Sequence, residues 1–208
     1  PGNPSAGGNG RKNLLRALEG SLRRLDTDYI DLYLVHAWDR VTPAEEVVRT
    51  LDDAVRAGKI RHYGFSDVPA WYAARAATLA ETRGLERPVV MQLQYALTVR
   101  DIEHEFVALG AEAGMGLMIW SPLDSGLLSG KYAPSKDGPS QDGGSGDGRL
   151  ALMANSGNPA FADKSSARNW AIVAELENVA RELGRSMAQV ALNWLLQRPG
   201  VTGPIIGA

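Results

Sequence analysis

The chain has 208 residues, and 22 basic against 24 acidic side chains leave a formal net charge of −2. That balance offers no basic face for nucleic acid, no apolar run approaches the roughly 18–20 residues that cross a bilayer, and the absence of cysteine excludes disulfides and thiolate metal sites. With 44% hydrophobic and 22% charged residues the composition is that of a soluble globular domain, read here as cytoplasmic, and the three histidines, His36, His62 and His104, lack metal-ligand spacing.

Residues 1–10 read as a Gly/Pro/Asn/Ser loop. Leu14, Leu15, Leu18, Leu22 and Leu25 then recur at helical spacing, and 31–36 reads as a short strand buried on both faces. Thr42-Pro43-Ala44-Glu45-Glu46 spells a helix start, with Thr42 as cap, Pro43 in the first helical position and acids in the first turn. That helix runs to Ala57 and stops at Gly58. Strand 60–66, helix 69–83, strand 89–95, helix 102–113 and strand 115–120 follow, with Gly84 and Gly114 as helix stops. The stretch 133–166 reads as a long irregular loop, too poor in apolar residues over 137–148 to pack. Helices over 167–183 and 186–197 lead to a last strand at 204–206.

Strand–helix units separated by glycine stops predict a parallel α/β fold. Five parallel strands fit an open doubly wound sheet or part of a closed barrel. No Gly-x-Gly-x-x-Gly follows any strand, so the Rossmann fingerprint is missing. The strand ends carry His36, Ser66-Asp67, Gln92, Gln94-Tyr95 and Trp120-Ser121. Polar and aromatic groups repeated at the same end of successive strands are the pattern of a barrel mouth. Trp38, Asp39 and Tyr95 fall at that mouth by position, whereas Trp71, Trp170 and Trp194 read as core, and His62 and His104 as surface. Taken alone, His36 also fits a hydrogen-bonded core histidine, Ser66-Asp67 a capping turn, and the Gly/Ser run 125–130 a plain loop.

Several segments together resemble the aldo-keto reductase family, in its bacterial branch similar to potassium-channel β subunits. They are Asp28-Tyr29-Ile30-Asp31-Leu32-Tyr33-Leu34-Val35-His36, Gly64-Phe65-Ser66-Asp67, Gln92-Leu93-Gln94-Tyr95, Trp120-Ser121-Pro122-Leu123, Ser125-Gly126-Leu127-Leu128-Ser129-Gly130-Lys131-Tyr132, Ala191-Leu192-Asn193-Trp194-Leu195 and Pro204-Ile205-Ile206-Gly207-Ala208. The resemblance implies a (β/α)₈ TIM barrel, of which residues 1–208 supply about five of the eight units, strands four to eight, with 133–166 as the long loop after the seventh strand. It also implies that the first three strands, with the catalytic aspartate, tyrosine and lysine, lie upstream of Pro1, leaving His36 as the one member of that set present. The implied function is NADPH-dependent reduction of an aldehyde or ketone to an alcohol. The alternative is a non-catalytic NADPH-binding regulatory module or an inactive fragment. The implied partner is a small carbonyl substrate, with no nucleic acid and no membrane; the oligomeric state is open.

By the same resemblance, His36 donates a hydrogen bond to the substrate carbonyl as negative charge develops on its oxygen. Ser66, Asp67 and Gln92 hold the nicotinamide carboxamide, with Asp67 standing where the family usually has asparagine. Trp120 stacks on the nicotinamide. Ser121, Pro122, Leu123, Ser125, Gly126 and Lys131 form the pyrophosphate segment, in which Asp124 replaces a small residue. Gly207 and Ala208 precede the grip on the 2′-phosphate of NADPH.

Overall fold

In a computed structural model, which describes residues 7–132 and 148–207, the chain forms an α/β fold. Its elements are α1 (Arg11–Leu25), β1 (Ile30–His36), α2 (Ala44–Arg56), β2 (Ile60–Ser66), α3 (Ala70–Thr82), β3 (Val90–Gln94), α4 (Phe106–Ala113) and β4 (Gly116–Trp120). There follow α5 (Arg149–Asn155), α6 (Ala160–Lys164), α7 (Ala167–Leu183), α8 (Met187–Leu196) and β5 (Val201–Pro204). The five strands form one parallel sheet in the order β1-β2-β3-β4-β5, as a partial (β/α)₈ barrel requires. By internal packing the chain divides into two compact units. One ends at Leu93 and resumes over Glu103–Met118; the other comprises Gln94–Ile102 and the chain from Ile119 onward.

The first unit is built around β2. Its Ile60, Tyr63, Gly64, Phe65 and Ser66 are all buried, because β1 and β3 flank it and helices cover it. Helix α2 offers Val47, Val48, Leu51 and Ala54, spaced along one face. Phe65 meets Tyr63 and Tyr72 edge-on at 6.1 Å in both cases. Gly64 is required by its neighbours: a Cβ there would lie 2.3 Å from the Val90 carbonyl oxygen and 2.5 Å from Val90 Cγ1. In the second unit the core gathers Ala96, Leu127, Leu128, Tyr132, Leu150, Val173, Leu176 and Ala191. Helix α8 starts with a capping box, in which Ser186 and Gln189 satisfy each other's backbone N–H groups.

Several expectations are corrected. Strand β1 is not buried on both faces: only Val35 is, since within the described residues β1 pairs on one side only. Pro43, not Thr42, is the N-cap of α2, and the Thr42 hydroxyl donates to Asp39 instead. The helix over 102–113 is a short 3₁₀ turn, Asp101–Glu103, followed by α4, since a single turn of apolar spacing does not distinguish the two periods. The irregular stretch contains α5 and α6, the first driven by the helix-forming run Leu150-Ala151-Leu152-Met153-Ala154; residues 133–147 lie outside the described residues. The last strand is Val201–Pro204, although Ile205 N still donates to Ile119 O at 2.7 Å. Trp71 is 54% exposed and packs edge-on against Trp38 at 4.9 Å rather than entering the core.

Gly64→Ala is expected to destabilise the protein by about 2–3 kcal/mol, because both clashing groups belong to the neighbouring strand and neither is a flexible side-chain tip. Urea unfolding of the two proteins checks it.

Candidate functional site

Parallel pairing sets the first group of candidate residues. His36 stands opposite Ser66, and Ser66 opposite Gln92, so the three occupy one row across β1, β2 and β3. The ladder continues past the strand ends, with Ala37 N donating to Ser66 O at 2.8 Å and Asp67 N to Gln92 O at 3.3 Å. The buried Ser66 hydroxyl donates to Gln92 Oε1 at 3.3 Å. Gln92 Nε2 faces Met118 Sδ at 3.6 Å, a weak acceptor, so this amide N–H keeps most of its capacity for a stronger partner. His36 Nε2 lies 3.5 Å from Asp67 Oδ2, with 74% of the imidazole side chain exposed. That proton serves either Asp67 or an oxygen of a ligand, one at a time.

Directly after β1, β2 and β4 come Ala37, Asp67 and Ser121, with φ of 60°, 52° and 53°. None is glycine, and left-handed backbone at such residues costs about 1–2 kcal/mol each. Strain repeated at the residue following a strand end is what a site defined by sharply turned loops contains.

The loop after His36 is organised by Asp39. Its carboxylate accepts from Asn9 N at 2.7 Å, Val41 N at 3.0 Å, Thr42 N at 2.8 Å and Thr42 Oγ1 at 2.5 Å. Burial alone would raise its pKa, but these hydrogen bonds outweigh it and hold Asp39 down at about 2, below its ordinary 3.8.

In the second unit, the turn Asp124–Ser129 follows β4, and its sharpness comes from consecutive left-handed residues, Asp124 (φ 46°), Ser125 (φ 60°) and Gly126 (φ 92°). Asp124 N and Gly126 N donate to Ser121 O and Leu123 O, and Ser125 N to Ser121 Oγ. Those amides are engaged within the turn, so side chains carry the charge facing outward. Gly126 is needed for its φ and also because the Lys131 stem folds over it, 2.8 Å from where a Cβ would stand. A cleft of about 300 Å³ is lined by Ser121, Pro122, Leu123, Ser125, Gly126, Ser129, Lys131, Arg149, Ile205, Ile206 and Gly207. It joins a larger cavity of about 880 Å³ through the shared Ser121, Ser125, Arg149, Ile205 and Gly207; Trp120 lines the larger one. Two cations, three hydroxyls and no carboxylate line the smaller cleft among the described residues, a donor set that fits a phosphate group.

A family model described as the aldo/keto reductase family matches residues 3–208. The chain belongs to that family. It is 36% identical over 208 residues to a probable voltage-gated potassium channel subunit beta of Oryza sativa, covering 99% of this chain and 60% of the relative. It is 35% identical over 193 residues to an uncharacterized oxidoreductase of Bacillus subtilis, covering 92% of this chain and 53% of the relative. To versiconal hemiacetal acetate reductase of Aspergillus parasiticus the identity is 32% over 197 residues, with 95% and 54% covered. The chain thus spans between half and two thirds of the length of these relatives.

Within this family member the sequence-derived candidates fall into two groups. His36, Ser66 and Asp67 gather at the ends of β1 and β2 in the first unit, and Gln92, expected at a strand end, lies beside Ser66 in the middle of β3. Ser121, Pro122, Leu123, Ser125, Gly126, Lys131 and Gly207 line the smaller cleft of the second, Trp120 the larger cavity, and Ala208 lies outside the described residues. Arg149 was missed. It opens α5 after a run of Gly, Asp and Ser, and an isolated cation in such a run carries no periodic signal. Among the described residues, no cluster of three or more His, Asp and Glu side chains offers a metal site, and no helix is long and apolar enough to cross a membrane.

A carboxylate held below its ordinary pKa stabilises the fold above that ordinary value and ceases to as pH falls through the folded one. Asp39→Ala should therefore cost about 1 kcal/mol at neutral pH, allowing for solvent screening. The difference from the unsubstituted protein should shrink as pH drops from 3.8 towards about 2. Denaturant unfolding across that range measures both.

Proposed function

We propose that the protein carrying this chain is an NADPH-dependent oxidoreductase that reduces an aldehyde or ketone to an alcohol in the cytoplasm. The observation that carries the reading is the register of His36, Ser66 and Gln92 across three adjacent parallel strands, the first two at the ends of β1 and β2 and Gln92 in the middle of β3. Bound reduced nicotinamide would supply the hydride. The Gln92 amide and Ser66 hydroxyl are suited to fixing the rotation of its carboxamide, and Asp67 adds an acceptor but no donor. His36 gives an N–H to the substrate carbonyl oxygen as charge develops there. Trp120 offers an aromatic face to the nicotinamide, and Ser121, Ser125, Lys131 and Arg149 hold phosphate oxygens. Gly207 and Ala208 lead to the contact with the 2′-phosphate.

The carbonyl's proton, in this reading, comes from the family tyrosine, which has no counterpart in this sequence. In this reading the chain supplies barrel strands four to eight. A regulatory NADPH-binding role is the second reading, favoured by the likeness to a protein named as a potassium channel subunit.

His36→Ala in the whole protein should lower kcat for carbonyl reduction by on the order of 10²-fold while leaving NADPH affinity nearly unchanged. Steady-state kinetics and NADPH fluorescence titration separate the two. Unchanged turnover with weakened cofactor binding contradicts the assigned role. NADPH binding with no turnover on any aldehyde or ketone favours the regulatory reading.

A further inference from the structure

Asp124 has no exposed surface at all, at the first position of the turn after β4. A carboxylate so placed is costly unless it is paired and hydrogen-bonded. Both conditions are met. Lys164, the last residue of α6 and itself 14% exposed, forms an ion pair with Asp124 Oδ1, and Thr98 Oγ1 donates to Asp124 Oδ2 at 2.7 Å. The surroundings hold both ends in place. Arg168 Nη1 donates to Thr98 O at 3.2 Å, and the buried Asn169 donates through Nδ2 to Asp163 O at 3.0 Å and Lys164 O at 3.2 Å. Upstream, α5 packs on the Asp124–Ser129 turn and on α6, and Leu150 N donates to the Tyr132 hydroxyl at 3.2 Å.

Thr98, Asp124, Lys164, Arg168 and Asn169 line the larger cavity, which shares Arg149, Ser121 and Ser125 with the phosphate-fitting cleft. Two consequences follow from the Lys164 contact. The α5–α6 segment bearing Arg149 is fastened to the turn bearing Ser121 and Ser125. The Asp124 charge, next in sequence to Ser125, is cancelled where it would repel a bound anion.

We propose that Lys164 is a positioning residue for a phosphate-bearing cofactor: through its ion pair with Asp124 it fixes the Arg149 segment over the cleft and keeps that cleft cationic. The proposal rests on the cofactor reading given above. Lys164 acts through Asp124 and Arg149, so its loss should weaken cofactor binding and leave the chemical step alone.

The test compares Lys164→Met, Lys164→Arg and the double variant Asp124→Ser/Lys164→Met in the whole protein. In the absence of cofactor, hydrogen exchange at the amides of 160–165 should be at least about tenfold faster in Lys164→Met, and close to unsubstituted in Lys164→Arg, because the uncompensated buried charge drives the segment open. The NADPH dissociation constant and KM should rise about tenfold or more in Lys164→Met with kcat unchanged. The arginine variant should restore both, whereas the double variant, which leaves no orphan charge but also no ion pair to fasten the segment, should stay weakened in affinity. A lysine that only neutralised Asp124 would let the double variant recover, and that outcome overturns the latch. Unaltered exchange in Lys164→Met overturns the latch. Faster exchange with an unaltered NADPH constant overturns its link to the cofactor. If the unsubstituted protein fails to bind NADPH, the cofactor reading falls by itself, and with it the assigned ligand, while exchange still decides the ion pair.

Discussion

The register of three parallel strands is the constraint on which the rest depends. Side chains alternate faces along a strand, so a one-residue slip of β1 against β2 would put His36 on the opposite face from Ser66. The register is held by burial. Phe65 packs edge-on against Tyr63 and against Tyr72 of α3, and Gly64 admits the close approach of Val90 and Leu34. With the strands locked, the alignment of His36, Ser66 and Gln92 follows from backbone hydrogen bonds alone, and the side chains are free to be chosen for chemistry. This is the usual division of labour in α/β barrels, where the sheet supplies rigidity and the strand ends supply function.

In the second unit the constraint is charge. The smaller cleft presents Lys131 and Arg149 together with serine hydroxyls, and the nearest buried acid, Asp124, is neutralised by Lys164. An aspartate next to Ser125 looks unfavourable for anion binding in isolation. The structure removes the difficulty by supplying a cation from α6. Such a pair contributes little net stability, since desolvating both groups offsets most of the attraction, but breaking one side is costly. Its value is geometric.

Much of the fold was legible because it is written in local pattern. Strand β2 is 60–66 as read, and α7 is 167–183, because a buried apolar run and a long helical period survive any context. Ends were less legible: α2 begins one residue later than the Thr-Pro pair suggests, with Pro43 as its N-cap, and β5 stops at Pro204 although the apolar run continues through Ile206. The candidate residues on strand ends were readable from order and resemblance. Arg149 and Lys164 were not, since each acts across a long separation in sequence; Lys164 meets Asp124 forty residues away. The left-handed Ala37, Asp67 and Ser121 were equally hidden, because no glycine marks them.

The most direct measurement is a crystal structure of the whole protein with bound NADPH. The account predicts the carboxamide hydrogen-bonded to Ser66 and Gln92, and phosphate oxygens within reach of Lys131 and Arg149. A cofactor whose nicotinamide makes no contact with the His36–Ser66–Gln92 row would contradict it.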